Sequence, residues 1–186
     1  VAGARTTAGD VRAHHVVLAA GAWSGTLLGE AAPAALHLVP VRGQILLLRS
    51  APRALRHMVL GGDGAYLAPR ADGRVLAGST VEYVGYDRNV TLRGTHTIAA
   101  AVERLAPALA DAAIEASWAG LRPDTPDHLP VLGTVEPGLI AATGHFRSGI
   151  MLAPVTAEIV RELVAGETSR DLAPFDPHRR IEARST

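Results

Sequence analysis

Short apolar runs, broken by glycine-rich turns, alternate along this chain with two stretches of helical period. From His15 to Ala20 the run is almost continuously apolar, as expected of a short strand buried on both faces in a parallel sheet. Gly21 ends it, and Leu139 to Ala142 repeats the pattern. Between His37 and Val81, apolar stretches are separated by turn signals at Gly61-Gly62-Asp63-Gly64 and Ala71-Asp72-Gly73-Arg74. That spacing predicts antiparallel strands joined by hairpins, with Asp72-Gly73 as the strongest turn. Ile98, Ala101, Val102 and Leu105 predict a surface helix, with Thr95 or Thr97 as N-cap and Pro107 just past its end. Val155, Ile159, Val160 and Leu163 predict the apolar face of a second helix running to about Ala165, with Gly166 as its C-terminal cap. Pro154 cannot donate to the Ile150 carbonyl, so the first turn is expected to stand apart from the main helix. Val1 to Asp10 reads as an edge strand or loop, Ala113 to Leu121 as extended, 123–130 as a proline-rich loop, and the chain from Asp171 as irregular.

One parallel-type strand, an antiparallel sheet with a helix, then another strand and helix: this order makes the two ends belong together around an insertion. The expected class is α/β (α+β), with 1–35 and 133–175 in one domain, 36–132 in an inserted, mainly antiparallel domain, and 176–186 as a tail. Composition fits a globular protein, since 48% of the 186 residues are hydrophobic and 19% charged, with 18 basic side chains matching 18 acidic ones. A zero net charge without a basic cluster argues against nucleic acid as a partner. The absence of cysteine excludes disulfides, zinc–thiolate sites and a thiol nucleophile. The apolar run Val16 to Ala22 is too short to span a bilayer, and the first residues lack the order of a signal peptide, so a cytoplasmic location is the default. His14 and His15 point to opposite faces of an extended segment and the other histidines are isolated, so no metal is expected.

Candidate chemistry centres on Ala141-Ala142-Thr143-Gly144-His145-Phe146-Arg147-Ser148-Gly149-Ile150-Met151, where a strand gives way to a helix through glycines and a basic residue. Amides at a helix start lack intrahelical partners and carry the positive end of the dipole, so they suit an anion or a ring oxygen gaining negative charge. Alternatively, this is an ordinary strand-to-helix turn capped by Ser148. Arg122 offers a planar guanidinium for a carboxylate through two parallel hydrogen bonds, or else it pairs with Asp124 or Asp127. Tyr66 is either a half-buried strand residue or a hydroxyl donor. His145 is a poor general base in such a loop, and Gly21-Ala22-Trp23-Ser24-Gly25 does not match the spacing of a hydrolase nucleophile turn.

Ser117-Trp118-Ala119-Gly120-Leu121-Arg122-Pro123-Asp124-Thr125-Pro126-Asp127 and Leu129-Pro130-Val131-Leu132-Gly133 lie upstream of that junction. Further marks are Val16-Val17-Leu18-Ala19-Ala20-Gly21-Ala22-Trp23-Ser24, Pro40-Val41-Arg42-Gly43-Gln44, Tyr66-Leu67-Ala68-Pro69-Arg70, and the run Gly78 to Asp87. In this order they resemble the C-terminal part of the FAD-dependent amino-acid oxidase family, which includes D-amino-acid oxidase and sarcosine oxidase, and within it most the glycine oxidases. The resemblance implies an FAD-binding α/β domain interrupted by a substrate domain. It also implies a small amino acid and dioxygen as reactants, oxidised by hydride transfer to the flavin with peroxide formation. Arg122, Arg147 and Tyr66 would bind substrate. Gly21, Trp23, Gly144, His145, Phe146, Arg147, Ser148, Gly149, Ile150 and Met151 would bind the cofactor, mostly through backbone groups. No residue is nominated as catalytic.

The Gly-x-Gly-x-x-Gly turn that holds a dinucleotide pyrophosphate is absent from these 186 residues. The expectation is therefore a C-terminal portion, with the fingerprint on a missing N-terminal half, and a homo-oligomer is left open. The alternatives are a flavin-dependent dehydrogenase or N-methyl amino-acid demethylase, and a noncatalytic fragment or subunit.

Overall fold

The structure is a computed structural model that describes residues 2–50 and 55–181. It resolves into two compact units, one formed by Val41–Leu121 and the other by the segments up to Pro40 and from Arg122 onward. The sequence reading divides the chain at 35/36 and 132/133 instead; the units change over within long strands, where no turn marks the boundary.

The flanking unit opens with a hairpin of β1 (Gly3–Thr6) and β2 (Gly9–Arg12), where an edge strand or loop was expected. Thr6 closes its turn, as its Oγ1 donates to the Gly9 carbonyl and accepts from Ala8 N. β3 (Val16–Leu18) follows, then a 3-10 turn at Gly21–Trp23 and a short helix α1 (Ser24–Leu28). The chain then enters the inserted unit, whose five-stranded antiparallel sheet holds β4 (Val39–Arg49), β5 (Val59–Leu60), β6 (Tyr66–Pro69), β7 (Arg74–Gly78) and β8 (Ala113–Asp124) in the order β5-β6-β7-β4-β8. The Asp72-Gly73 hairpin forms as expected, joining β6 to β7.

Alternate residues Leu46 and Leu48 of β4, Leu67 of β6, and Val75 and Ala77 of β7 point to one face. There they pack against Ile98 and Val102 of helix α2 (Leu92–Leu105). The helix begins a turn earlier than predicted. Thr91, not Thr95 or Thr97, is its N-cap and accepts from Gly94 N, while Thr97 lies inside the helix and bonds back to the Arg93 carbonyl. The same cap is bound to the sheet. Gln44, fully buried on β4, donates to Glu82 Oε1 at 2.7 Å and to Thr91 Oγ1 at 3.0 Å, and accepts from Thr91 N at 2.8 Å. Arg42, two residues away on the same face, pairs with Glu82 and with Asp87 at 2.5 Å. Burial alone would raise the Glu82 carboxyl pKa, but hydrogen bonds from Thr80, Arg42 and Gln44 prevail and hold it below its ordinary value.

Back in the flanking unit, β9 (Val131–Glu136) and β10 (Leu139–Thr143) form a hairpin. β10 pairs in parallel with β3, giving a three-stranded sheet of order β3-β10-β9. The parallel pairing of the two short apolar runs is the arrangement their patterns predict, although Val17 of β3 is 40% exposed where a strand buried on both faces was expected; β9 was not assigned from the sequence. Helix α3 (Gly149–Ala165) then runs unbroken through Pro154, so its first turn does not stand apart. Proline so near the start removes a hydrogen bond without ending the helix. Gly166 ends it in the left-handed conformation, φ 69°. Ile159 is the buried residue of the predicted apolar face, whereas Val155 is exposed. The core of this unit gathers Ala32, Ala35, Leu36, Val131 and Ala141.

Candidate functional site

β3 and β10 run in parallel, so both end at the same edge of their sheet, and the two segments expected to touch the cofactor both leave from that edge. The carboxyl ends of strands in an α/β sheet are where such folds place ligands. Thr143, the last residue of β10 and buried, ties the two exits together: its Oγ1 donates to the Gly21 carbonyl at 3.1 Å and accepts from Ser24 Oγ at 3.1 Å. Gly21–Trp23 and Gly144–Met151 are thus held side by side. Trp23, at this edge, is 43% exposed.

The junction loop is fixed from below by the segment after β8. Gly144 has φ 75°, and a Cβ there would stand 2.6 Å from the Thr125 methyl, so only glycine lets the loop lie this close. Phe146 N donates to the Pro123 carbonyl at 3.0 Å, which brings Arg122 and the junction together through adjacent backbone. His128 Nδ1 lies 2.7 Å from the buried carboxylate of Asp124, and its ring centroid is 6.2 Å from that of Phe146. Both His128 (φ 63°) and Phe146 (φ 47°) occupy the left-handed region that side chains other than glycine rarely adopt. Two non-glycine residues in that conformation, one in each of these neighbouring segments, mark a strained backbone here.

The remaining candidates fall as follows. His145 bonds through Nε2 to Thr156 Oγ1 at 3.0 Å, and burial lowers its pKa, which favours the neutral imidazole. Ser148 occupies the N-cap position of α3, but its side chain makes no capping bond. Ile150 is almost wholly exposed and Met151 about three-quarters exposed (96% and 75%) on the first turn of α3. Arg147 is exposed and Arg122 half-buried. Tyr66 stands in the inserted unit on β6, its phenol lying across Gly78 of β7 with the hydroxyl 2.9 Å from where a Gly78 Cβ would be.

Sequence reasoning missed the partners of the carboxylates in the 123–130 loop. Asp124 and His128 are four apart and meet, a spacing visible in the sequence. Asp127 is bound by Arg179, 52 positions away, for which no local pattern exists: Nε and Nη2 reach its two oxygens at 2.7 and 2.8 Å. Hydrogen bonds from Arg179 hold the Asp127 carboxyl down at about 2, against an ordinary 3.8. A carboxyl whose pKa is lower folded than unfolded stabilises the fold above its unfolded pKa and loses that contribution as pH falls towards the folded value. Asp127→Asn should therefore melt below the wild type at neutral pH, and the gap should close between about pH 4 and about pH 2. Thermal melts across that range check it.

Comparisons with known proteins place the chain. The model of the DAO family, FAD dependent oxidoreductase, matches residues 1–163. The glycine oxidase of Pseudomonas aeruginosa is 42% identical over 97% of this chain and 50% of its own length. The hydrogen cyanide synthase subunit HcnC of the same species is 37% identical over 94% of this chain and 43% of its own. The crystal structure of glycine oxidase from Geobacillus kaustophilus superposes with a TM-score of 0.89 at 37% identity, covering 96% of this chain and 49% of that one. The chain thus spans about half the length of these relatives. With the family model matching most of its residues, this chain belongs to the DAO family of FAD-dependent oxidoreductases.

Proposed function

We propose that this chain supplies the substrate-gripping and part of the flavin-contacting surface of an enzyme that oxidises glycine or another small amino acid, consuming dioxygen and releasing peroxide. The observation that carries the reading is the bond from Phe146 N to the Pro123 carbonyl, which joins the carboxylate-binding candidate to the glycine-rich junction inside one unit. On this reading the flanking unit belongs to the FAD-binding domain and Val41–Leu121 to the substrate domain.

The residues present suit a flavin. Gly21 has nothing within 4 Å of where a Cβ would stand, and at Gly149 such an atom would meet only His145, at 3.5 Å. Both positions leave room for a flat ring or a nucleotide chain to approach the backbone. The first amides of α3, uncapped by the Ser148 side chain, are donors for an electron-rich ring edge. Gly21, Trp23 and Gly144–Met151 would hold the cofactor. When bound, FAD supplies the acceptor for the hydride leaving the substrate's α-carbon. Arg122 grips the substrate carboxylate by a two-point, charge-assisted bond, with Arg147 of the same unit as a further donor, and so fixes the direction of the α C–H bond.

The likeness to a hydrogen cyanide synthase subunit favours a second reading, in which a small amino acid is oxidised but the product or the electron acceptor differs. One experiment addresses both. The full-length protein carrying this chain should be yellow, and its flavin absorbance should bleach when mixed with glycine, sarcosine or another small amino acid without oxygen. Rapid recovery on admitting air, with peroxide formed, supports the oxidase; sluggish recovery supports the second reading; no bleaching with any small amino acid overturns both.

A further inference from the structure

We infer that Arg179, on the C-terminal strap of the flanking unit, is a positioning residue that sets the loop leaving Arg122 and thereby tunes the grip on the substrate carboxylate. The inference rests on the proposed role of Arg122. Arg179 lies in a segment that is itself firmly seated. Pro177, fully buried, packs onto β9, with its Cδ 2.8 Å from where a Gly133 Cβ would stand. His178 Nε2 lies 2.7 Å from the Val135 carbonyl, and Arg179 Nη1 donates to the Asp176 carbonyl at 3.2 Å. From this base the guanidinium reaches the 125–130 loop at three points, the two oxygens of Asp127 and the Leu129 carbonyl at 2.9 Å. Its side chain is only 7% exposed and that of Asp127 19%, so water competes weakly with the pairing.

The path onward to the site is short and continuous. The Leu129 carbonyl that accepts from Arg179 also accepts from Thr125 Oγ1 at 2.8 Å. Thr125 presents its methyl to Gly144, and Pro123, two residues back, holds Phe146 N. Strands β8 and β9 anchor the ends of this loop, and the Asp124–His128 pair braces its first turn. Arg179 braces the loop from outside, as the Phe146 amide does at Pro123. With a guanidinium in place, Asp127 and Leu129 are fixed at a set spacing by a rigid planar fork, a task the single ammonium of lysine performs only in part. The strap thus acts through the loop, touching neither the substrate nor the flavin.

The test uses the full-length, flavin-loaded enzyme and the amino acid that best bleaches its flavin. Arg179→Ala should raise KM about tenfold, within the range open to misplacement of a binding group by about 1 Å, while kcat changes by less than about threefold and the flavin-to-protein ratio stays at the wild-type value. Arg179→Lys should recover part of the loss. Asp127→Asn should raise KM as well, and adding it to Arg179→Ala should bring little further change, since both act on one contact. A wild-type KM in folded, flavin-loaded Arg179→Ala, or a fall in kcat at constant KM, overturns the inference. If Arg179→Ala does not fold, Asp127→Asn and Arg179→Lys decide on the same criteria. Arg122→Ala, run alongside, separates the two levels. A KM raised there but not at Arg179 refutes the positioning role alone, whereas an unchanged KM at Arg122 refutes the proposed grip and this inference with it.

Discussion

Replacing Arg122 by alanine in the full-length enzyme is expected to lower kcat/KM for the amino-acid substrate by about 10²- to 10⁴-fold while leaving flavin content and melting temperature near wild type. The size follows from the chemistry of the proposed contact. A guanidinium holding a carboxylate at two points makes two charge-assisted hydrogen bonds, each contributing about 1.5–3 kcal/mol, and each 1.4 kcal/mol of lost transition-state binding is tenfold in kcat/KM. Fold stability should change little, because Arg122 is half-buried at the end of β8 and outside the unit's apolar cluster. Lysine at 122 should restore the charge but not the fork, and so recover only part of the loss. Steady-state kinetics with glycine and with a larger amino acid, together with the visible spectrum, check this. Kinetics indistinguishable from wild type would remove Arg122 from substrate binding and leave the carboxylate to Arg147.

A large effect on stability is expected at Gly94→Ala, with a sign opposite to what helix propensity alone gives. Alanine in place of glycine inside a helix ordinarily gains roughly 1 kcal/mol. Here the added methyl would overlap the carboxamide carbon, nitrogen and oxygen of Gln44. That amide has no room to retreat, since it is fully buried and bonded at once to Glu82 and to both backbone and side chain of Thr91. Either the first turn of α2 moves off the sheet or the amide gives up partners that water cannot replace. Overpacking of about 1–3 kcal/mol and an unsatisfied buried polar group of similar size outweigh the propensity gain, for a net loss of roughly 1–5 kcal/mol. Denaturant unfolding of the purified variant measures it; a variant as stable as the wild type would show that Gln44 can repack.

These two residues also show what could be read in advance. Arg122 stands out only through the run of matching motifs, because by itself a guanidinium before proline could equally pair with Asp124 or Asp127, whereas the Gly144–Met151 junction was legible because a change of period marks it. The parallel pairing of β3 and β10 was legible from their two short apolar runs, but the burial expected on both faces of β3 was not found, since Val17 is 40% exposed. Gln44 was legible only as part of a motif, without a task, because its task depends on Glu82 and Thr91, which reach it through the folded sheet. The start of α2 was misjudged because Thr91, Thr95 and Thr97 offer the same hydroxyl, and what selects Thr91 is its bond to Gln44. Pro154 was expected to divide α3 because the rule for proline is local, whereas a helix continues if the lost bond falls in its first turns. The hairpin β1–β2 carries too few apolar residues for its period to show, and in β9 the apolar residues Val131, Leu132 and Val135 do not alternate. Asp127 and Arg179 lie too far apart in the chain for any pattern to join them.

The neighbouring pair His128 and Phe146 has a bearing on engineering. Each holds its backbone where a residue without a side chain would rest more easily, and each adjoins the segment proposed to grip the substrate. Substitutions that relax such a backbone ordinarily raise heat resistance. A selection that rewards heat resistance and ignores turnover would thus be drawn to the two positions it ought to leave alone, trading alignment for durability.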